Sequence, residues 1–535
     1  MGYPWLKRRR KSTPELAIEP PLPLGNRSNG EYFHEQTAHE RRIAALVRRR
    51  AEDRARRHGL DRRQFLASSM GMATSLWAIN ACQPAQSSNP AGTQIGTTGI
   101  GTSSNGYDLG TGSQDDTGPV GDCEPIVTPE FIFDVQTHHV DPGGSWRDTH
   151  PTYVELFEGL PQAMCGPDPI GCFSADQYID LMFLDSDTSV AVLSGLPASL
   201  CTTGVADCGN PLDNDQIVAT RELVNALARS PRSVNHAMVT PNVDLERQLE
   251  LMQRAVEDLG VGGWKCYPPW GPQGEGFWLD DPQVGLPFIE QARDLGVKTI
   301  CAHKGIAMPG FDMVHTDPRD IVAVAAMYPD MNFVVYHAGW LHGGPGNGEG
   351  PYDPAGQVDP RNPELYPVSQ GVNSLVHAMQ KQGLGPGSNV YADLGSVWIN
   401  VLAYPDQAAH VLGKLLTYLG EDNVLWGTDS IFTGSPQPLI EAFCAFRISE
   451  RFQQLYGYPA LTETIKRKVL GLNAAPLFGV DPQAVLCELA TDAIGQRRRA
   501  LDQALGPRRW TAKHGLGPRT RREYARLLAS SPGPG

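Results

Sequence analysis

The chain has 535 residues, of which 41% are hydrophobic and 19% charged, ample for one large globular domain with appendages. Its formal charge of −14 is unevenly spread: residues 1–82 carry +8, residues 497–535 another +8, and the stretch between them −30. An acidic body argues against nucleic acid as its partner and leaves the basic ends as solvated or membrane-facing tails.

Residues 1–60 are polar and basic, with one helical pattern around Arg41–Arg57. Asp61-Arg62-Arg63-Gln64-Phe65-Leu66 then leads into Ala67–Ala81, a small and moderately apolar run. Paired arginines, an aromatic-Leu step and a weak apolar run resemble a twin-arginine export signal, which implies that the export machinery is a partner. The run ends at Ile79-Asn80-Ala81-Cys82, similar to a lipoprotein cleavage box in which Asn80 is not the usual residue. Lipid on Cys82, giving a membrane tether, and simple cleavage nearby both stay open. About sixty residues ahead of the arginines is long for such a signal, which leaves a downstream start codon open. The apolar run is too short and too polar for a membrane-spanning helix. Residues 1–82 are therefore expected to be a basic region plus signal. Residues 83–123, rich in Ser, Gly and Thr, bury too little to offset chain entropy and are expected to be a disordered tether.

From residue 124 short apolar runs alternate with amphipathic patterns. Strand-like runs fall at 131–135, 190–193, 234–239, 261–267, 297–303, 333–337, 390–394 and 424–429. Helical patterns such as 244–259, 282–295, 320–328 and 406–419 separate several of them. Eight β-then-α units predict a (β/α)8 TIM barrel over 124–480, followed by a helical basic tail over 481–535. The long Gly- and Pro-rich loops at 141–176 and 338–372 belong over its active-site face. Ten cysteines include two C-x6-C pairs, Cys165/Cys172 and Cys201/Cys208, in loop-like sequence suited to local disulfides. Cys266 and Cys301 sit in apolar runs and are expected to be buried thiols.

Polar residues end these apolar runs. Strand one delivers Gln136 and His138 on one face, with His139 on the other. Strand four delivers Lys265, strand five His303, strand six His337 and strand eight Asp429, all expected at the C-terminal mouth. Imidazoles plus a carboxylate suit one divalent metal ion, Zn²⁺ first and Mn²⁺ or Fe²⁺ as alternatives. Such an ion would acidify a bound water or polarise a carbonyl, with Asp429 placed to take the proton.

Asp134-Val-Gln-Thr-His138, Trp264-Lys265, Ala302-His303, Tyr336-His337-Ala-Gly339, Trp426-Gly-Thr-Asp429 and Leu472-Asn473-Ala474-Ala475 follow the order of the amidohydrolase superfamily. More narrowly, they resemble its amidohydrolase-related branch, which includes aminocarboxymuconate-semialdehyde decarboxylase. The resemblance spans about 130–480. It implies that His138, His303 and Asp429 ligate the metal and that His337 is a catalytic acid or base. The branch has His-x-His on strand one; Gln136 departs from it and would be a neutral, weaker ligand. Lys265 and Trp340 are candidate substrate contacts, with Lys265 equally suited to structural pairing; His342 is a further contact candidate. Asp393 and Asn473 are expected to brace loops.

Three functions follow in order. The first is an exported metal-dependent hydrolase of a small amide, ester or lactone, with His337 and Asp429 handling protons. The second is a non-oxidative decarboxylase, which needs a carboxylate anchor such as Lys265 or Arg147. The third is a tethered binding protein that lost its chemistry, favoured only by Gln136. Assembly as a homodimer is a further expectation.

Overall fold

Eight apolar runs form parallel strands in the computed structural model: β1 Phe133–Thr137, β2 Val190–Leu193, β3 Ser233–Val239, β4 Gly263–Cys266, β5 Thr299–His303, β6 Asn332–Tyr336, β7 Val390–Asp393 and β8 Val424–Leu425. The structure describes residues 20–28, 33–57, 60–83, 104–108, 131–165, 167–198, 209–308, 310–341, 349–354, 370–489 and 491–505. The Cys201/Cys208 pair, most of the expected tether, His342 and everything beyond residue 505 lie outside them.

Each strand pairs in parallel with its sequence neighbour, from β1 round to β8. The ring closes between the ends. Val135 N donates to Trp426 O at 2.9 Å, Asp429 N to Gln136 O at 2.9 Å and His138 N to Ser430 O at 2.7 Å. Parallel strands are covered on both faces, which is why β1, β2, β4 and β5 are buried at every position and read as near-continuous apolar runs. The expected (β/α)8 barrel is the fold of this chain. Helices return the chain between strands, and their starts are written locally. Asp213 and Gln216 form a capping box at helix Asn214–Ala228, and Asp244 caps helix Leu245–Arg254.

The N-terminal region is more structured than its composition predicts. Helix Ala38–Arg57 lays a stripe of Ile43, Ala44, Val47, Ala51 and Ala55 against helix Ser69–Ala81. Both belong to the same hydrophobic cluster as the barrel, and so do Phe65 and Leu66 beside the paired arginines. Gly106–Tyr107 pairs antiparallel with Phe446–Arg447, while Tyr107 Oη donates to Leu402 O at 2.5 Å. Alanine-rich stripes register as weakly apolar in sequence, which is why the docking was not anticipated. Among the described residues, no helix is long and apolar enough to cross a membrane.

Helices Pro482–Leu489 and Ala493–Leu505 follow the barrel, with Val485 and Leu489 packed against Phe131 and Phe133. A buried Arg232–Asp492 ion pair at 2.7 Å ties them down. Cys165 and Cys172 form a disulfide, and Cys266 and Cys301 are buried thiols, both as expected. Cys487 is also disulfide-bonded.

Candidate metal centre and active-site pocket

β1 ends in Gln136 and, just past it, His138; β5 ends in His303; His337 follows β6 and Asp429 follows β8. All five line one pocket at the strands' C-terminal ends. Two of the four later positions need unusual backbone. Of the six non-glycine residues with positive φ among those described, four are His337, Ala338, Ser396 and Asp429. Such strain concentrates where side-chain aim matters more than backbone comfort.

The three imidazoles share one design. Each gives one ring nitrogen to a backbone carbonyl: His138 Nδ1 to Ser194 O at 2.9 Å, His303 Nε2 to Ile306 O at 2.5 Å, and His337 Nδ1 to Gly395 O at 2.9 Å. A carbonyl only accepts, so the nitrogen facing it carries the hydrogen. Burial, above all, drives the histidine pKa values down, to about 3 for His138 and His337 and well below the ordinary range for His303. Each ring is therefore neutral, and its other nitrogen is unprotonated. Those nitrogens stand close to one another or to Asp429. His337 Nε2 stands 3.2 Å from His303 Nδ1, and His138 Nε2 stands 3.5 Å from Asp429 Oδ1. Two lone pairs facing each other at contact distance repel unless a cation or proton lies between them. Outer hydrogen bonds that fix the tautomer of each ring are what metal-ligating histidines use.

Asp429 is held by Ser396 Oγ, which donates to Oδ2 at 2.6 Å, and burial lifts its pKa to about 6. Gln136 completes the floor. Its Nε2 reaches His337 Nε2 at 3.2 Å and Asp429 Oδ1 at 3.3 Å, while its buried Oε1 has no hydrogen-bond partner. Gly395 lies so close that a Cβ there would stand 1.9 Å from Oε1. Among the described residues, no three His, Cys, Asp or Glu side chains are spaced as a finished metal-binding group. The Gln136 amide bonds two of the acceptors instead. The donor chemistry nonetheless fits a divalent ion: inward lone pairs, a carboxylate, and an amide whose half-turn would present its orphaned oxygen.

Around this floor the strands brace one another. Asp134 accepts from Thr428 N at 3.1 Å and from the Thr428 hydroxyl, clamping β1 to the segment after β8. Asp393 accepts from His337 N at 2.6 Å, a bracing role as expected from its position. Asn473 donates to Glu421 O and Val424 O, at 2.8 Å each. His139 faces outward and meets Thr220 on helix Asn214–Ala228 at 2.9 Å.

Lys265 and Trp340 are not among the pocket-lining side chains. Lys265 pairs in register with Cys301, two residues before His303, so it sits one side-chain layer beneath the floor. Its ammonium packs over the Tyr336 ring at 3.7 Å, and burial lowers its pKa to about 8. The turn after His337 carries Trp340 away into the core. Arg147 donates to Pro142 O at 2.8 Å and does not line the pocket either.

What the sequence reading missed is the wall. Tyr153, Leu156, Phe157 and Leu160 come from helix Pro151–Glu158 and the turn beyond it, and Phe432 from the segment after β8. The spacing 153, 156, 157, 160 is the i, i+3, i+4, i+7 pattern of a helix with one apolar face and could have found them.

A closed eight-stranded parallel barrel with titratable groups at its strand ends is an enzyme architecture of the (β/α)8 class. The amidohydrolase family model matches residues 213–480, half of the chain, and takes in His303, His337 and Asp429. The chain belongs to the amidohydrolase family. No curated protein matches it. Among solved structures it is similar to an uncharacterised TIM-barrel protein of Bordetella bronchiseptica, at 16% identity over 66% of this chain and 99% of that one, TM-score 0.40. It is also similar to 2,6-dihydroxybenzoate decarboxylase from Rhizobium, at 17% identity over 65% and 99%, TM-score 0.38. A third is a manganese-bound dihydroxybenzoic acid decarboxylase from Polaromonas, at 16% identity over 65% and 97%, TM-score 0.36.

Proposed function

We propose that this enzyme hydrolyses a small carbonyl compound, an amide, ester or lactone, at one divalent cation held by Gln136, His138, His303 and Asp429. The observation that carries the reading is three neutral imidazoles and a carboxylate lining one pocket, with His138 facing Asp429 and His303 facing His337, each ring fixed by a hydrogen bond on its far side. A divalent cation there lowers the pKa of water and polarises a carbonyl. Zinc suits the nitrogen-rich set, with manganese or iron as alternatives. Asp429, with a pKa near 6, is ionised at neutral pH yet basic enough to take a proton from attacking water. His337, its Nδ1–H fixed on Gly395 O, offers Nε2 to take up a proton and return it to the leaving group.

A decarboxylase of the aminocarboxymuconate-semialdehyde type is the second reading. It ranks lower because the described pocket-lining side chains include no Lys or Arg to hold a carboxylate. The test is metal content of the full chain by plasma mass spectrometry beside His303→Ala and Asp429→Ala, with turnover of esters, lactones, amides and carboxylated aromatics. We expect one equivalent of metal in the parent, loss in both variants, and hydrolysis without CO₂ release. Release of CO₂ would move the enzyme to the lyases. A parent that stays empty after reconstitution would leave a binding protein.

For location we propose twin-arginine export of the folded chain, with lipid on Cys82 as the anchor. The Cys165–Cys172 disulfide supports an oxidising destination. Phe65 and Leu66 are buried within the N-terminal helical cluster, so recognition of the paired arginines requires that segment to open. Cell fractionation with and without Arg62→Lys/Arg63→Lys tests this, and unchanged distribution would refute it.

A further inference from the structure

The floor of the pocket is polar, but what a substrate meets beside the reacting atoms is not. Phe157 and Phe432 pack with ring centroids 5.9 Å apart, and Phe432 lies parallel to the His138 ring at 5.6 Å and 10°. Leu156 and Leu160 extend the same surface. Two tyrosines also line the pocket, and both hydroxyls are already engaged. Tyr153 Oη donates to Pro197 O at 2.6 Å, and Tyr267 Oη to Gly195 O at 2.7 Å. They offer the pocket ring faces.

This wall decides between substituents. A charged or polar group on the substrate would give up water and find neither a cationic side chain nor a spare tyrosine hydroxyl among the described lining residues. A flat apolar ring would lose only unfavourable hydration and stack between aromatic faces. We infer that the substrate is a carbonyl compound bearing a neutral apolar ring, an aryl amide, ester or lactone, with Phe157 and Phe432 setting that specificity. The inference rests on the hydrolase reading for the carbonyl and on the wall alone for the ring.

The wall is also fixed in place. Gln162, just past it, donates its N–H to Phe432 O at 3.2 Å and its side-chain amide to Cys172 O at 3.2 Å. The Cys165–Cys172 disulfide, at a sequence separation of 7, closes the next stretch of the same segment. Phe173 then packs on both Phe157 and Phe432, at 5.6 and 6.2 Å. The rings that would clasp the substrate are therefore held by one another and by the loop that carries them.

The test is calorimetric binding of three probes to the full, metal-loaded chain: benzamide, acetamide, and 4-carbamoylbenzoate as the carboxylated ring. Benzamide should bind at least about tenfold more tightly than either of the others, the scale set by burying a ring. Phe157→Ala and Phe432→Ala should each remove most of that preference with metal content unchanged, while Phe157→Leu should keep part of it. Equal binding of benzamide and acetamide, or tighter binding of 4-carbamoylbenzoate, would overturn the inference. Ring preference without turnover of any ester, lactone or amide would support this inference and sink the hydrolase reading. Turnover without ring preference would do the reverse.

Discussion

His138, His303, His337 and Asp429 in the floor of the pocket and Tyr153, Leu156, Phe157 and Phe432 in its wall line one cavity, yet they are held in different ways. The floor groups are locked by hydrogen bonds to backbone carbonyls and to Ser396, several from strained backbone. The wall groups are held by ring contacts and by one disulfide-closed loop. Directional bonds fix where a lone pair points; packing fixes only a surface. The floor is thus suited to chemistry, which tolerates little misplacement, and the wall to selection, which tolerates more.

Substitution on the two sides should separate these roles. Asp429→Asn keeps the shape of the floor but removes its carboxylate. It is expected to lower kcat by about 10³-fold or more, the scale of losing a general base together with a charged ligand. Phe157→Ala should instead raise KM by about tenfold with kcat within a few-fold, because it removes contact area shared by ground and transition states. Steady-state kinetics on one aryl substrate reads both. If Phe157→Ala lost kcat as heavily as Asp429→Asn, the division between floor and wall would be wrong.

Acid should also find the floor and spare the wall. Five buried histidines, His138, His139, His236, His303 and His337, have pKa values pushed down by burial. A depressed histidine contributes stability that is present above its unfolded value and lost as pH falls below about 6.5. Three buried carboxyls act in the opposite sense: Asp134 is raised to about 7, Asp429 to about 6 and Asp393 well above its ordinary range. Their contribution is present below the unfolded carboxylate range and lost as pH rises through the folded values. Imidazoles outnumber carboxyls, so the metal-stripped protein should lose stability between pH 6.5 and 5, by about 1.4 kcal/mol per pH unit for each excess proton taken up on unfolding. Urea unfolding at pH 7.5, 6.5 and 5.5 measures it. Phe157→Ala should shift the whole profile without changing its slope, and a flat profile would contradict the neutral-imidazole floor.

The same contrast explains what was legible in the sequence. A strand that is apolar until its last residue announces both its burial and its polar end, so His138, His303, His337 and Asp429 could be placed from pattern alone. Lys265 was expected at the mouth because it closes an apolar run, but that pattern says nothing about depth. Only the register with Cys301 puts it one layer below the floor. Trp340 was misjudged for a related reason: the left-handed turn at Ala338 and Gly339 redirects the chain, and no residue type there advertises it beyond the glycine. The wall escaped because its residues sit in a loop long enough to read as irregular. The docked N-terminal helices escaped because alanines interrupt the larger side chains of their buried stripes.

Gln136 tests how far the floor is tuned. Its amide nitrogen holds His337 Nε2 and Asp429 Oδ1 by hydrogen bonds that an incoming cation must break, and its oxygen is a weak ligand once turned inward. Gln136→His replaces that amide by an imidazole, which binds borderline metals more strongly and cannot occupy the acceptors with two N–H donors. Zinc affinity, measured by competition with a chromogenic chelator, should rise by about tenfold. Ring preference at the wall should not move, because no wall residue contacts the side chain through a hydrogen bond. A Gln136→His variant with unchanged or weaker zinc affinity would mean that the glutamine amide is the preferred partner of these acceptors. The floor would then be organised around hydrogen bonding, and the hydrolase reading would lose its principal support.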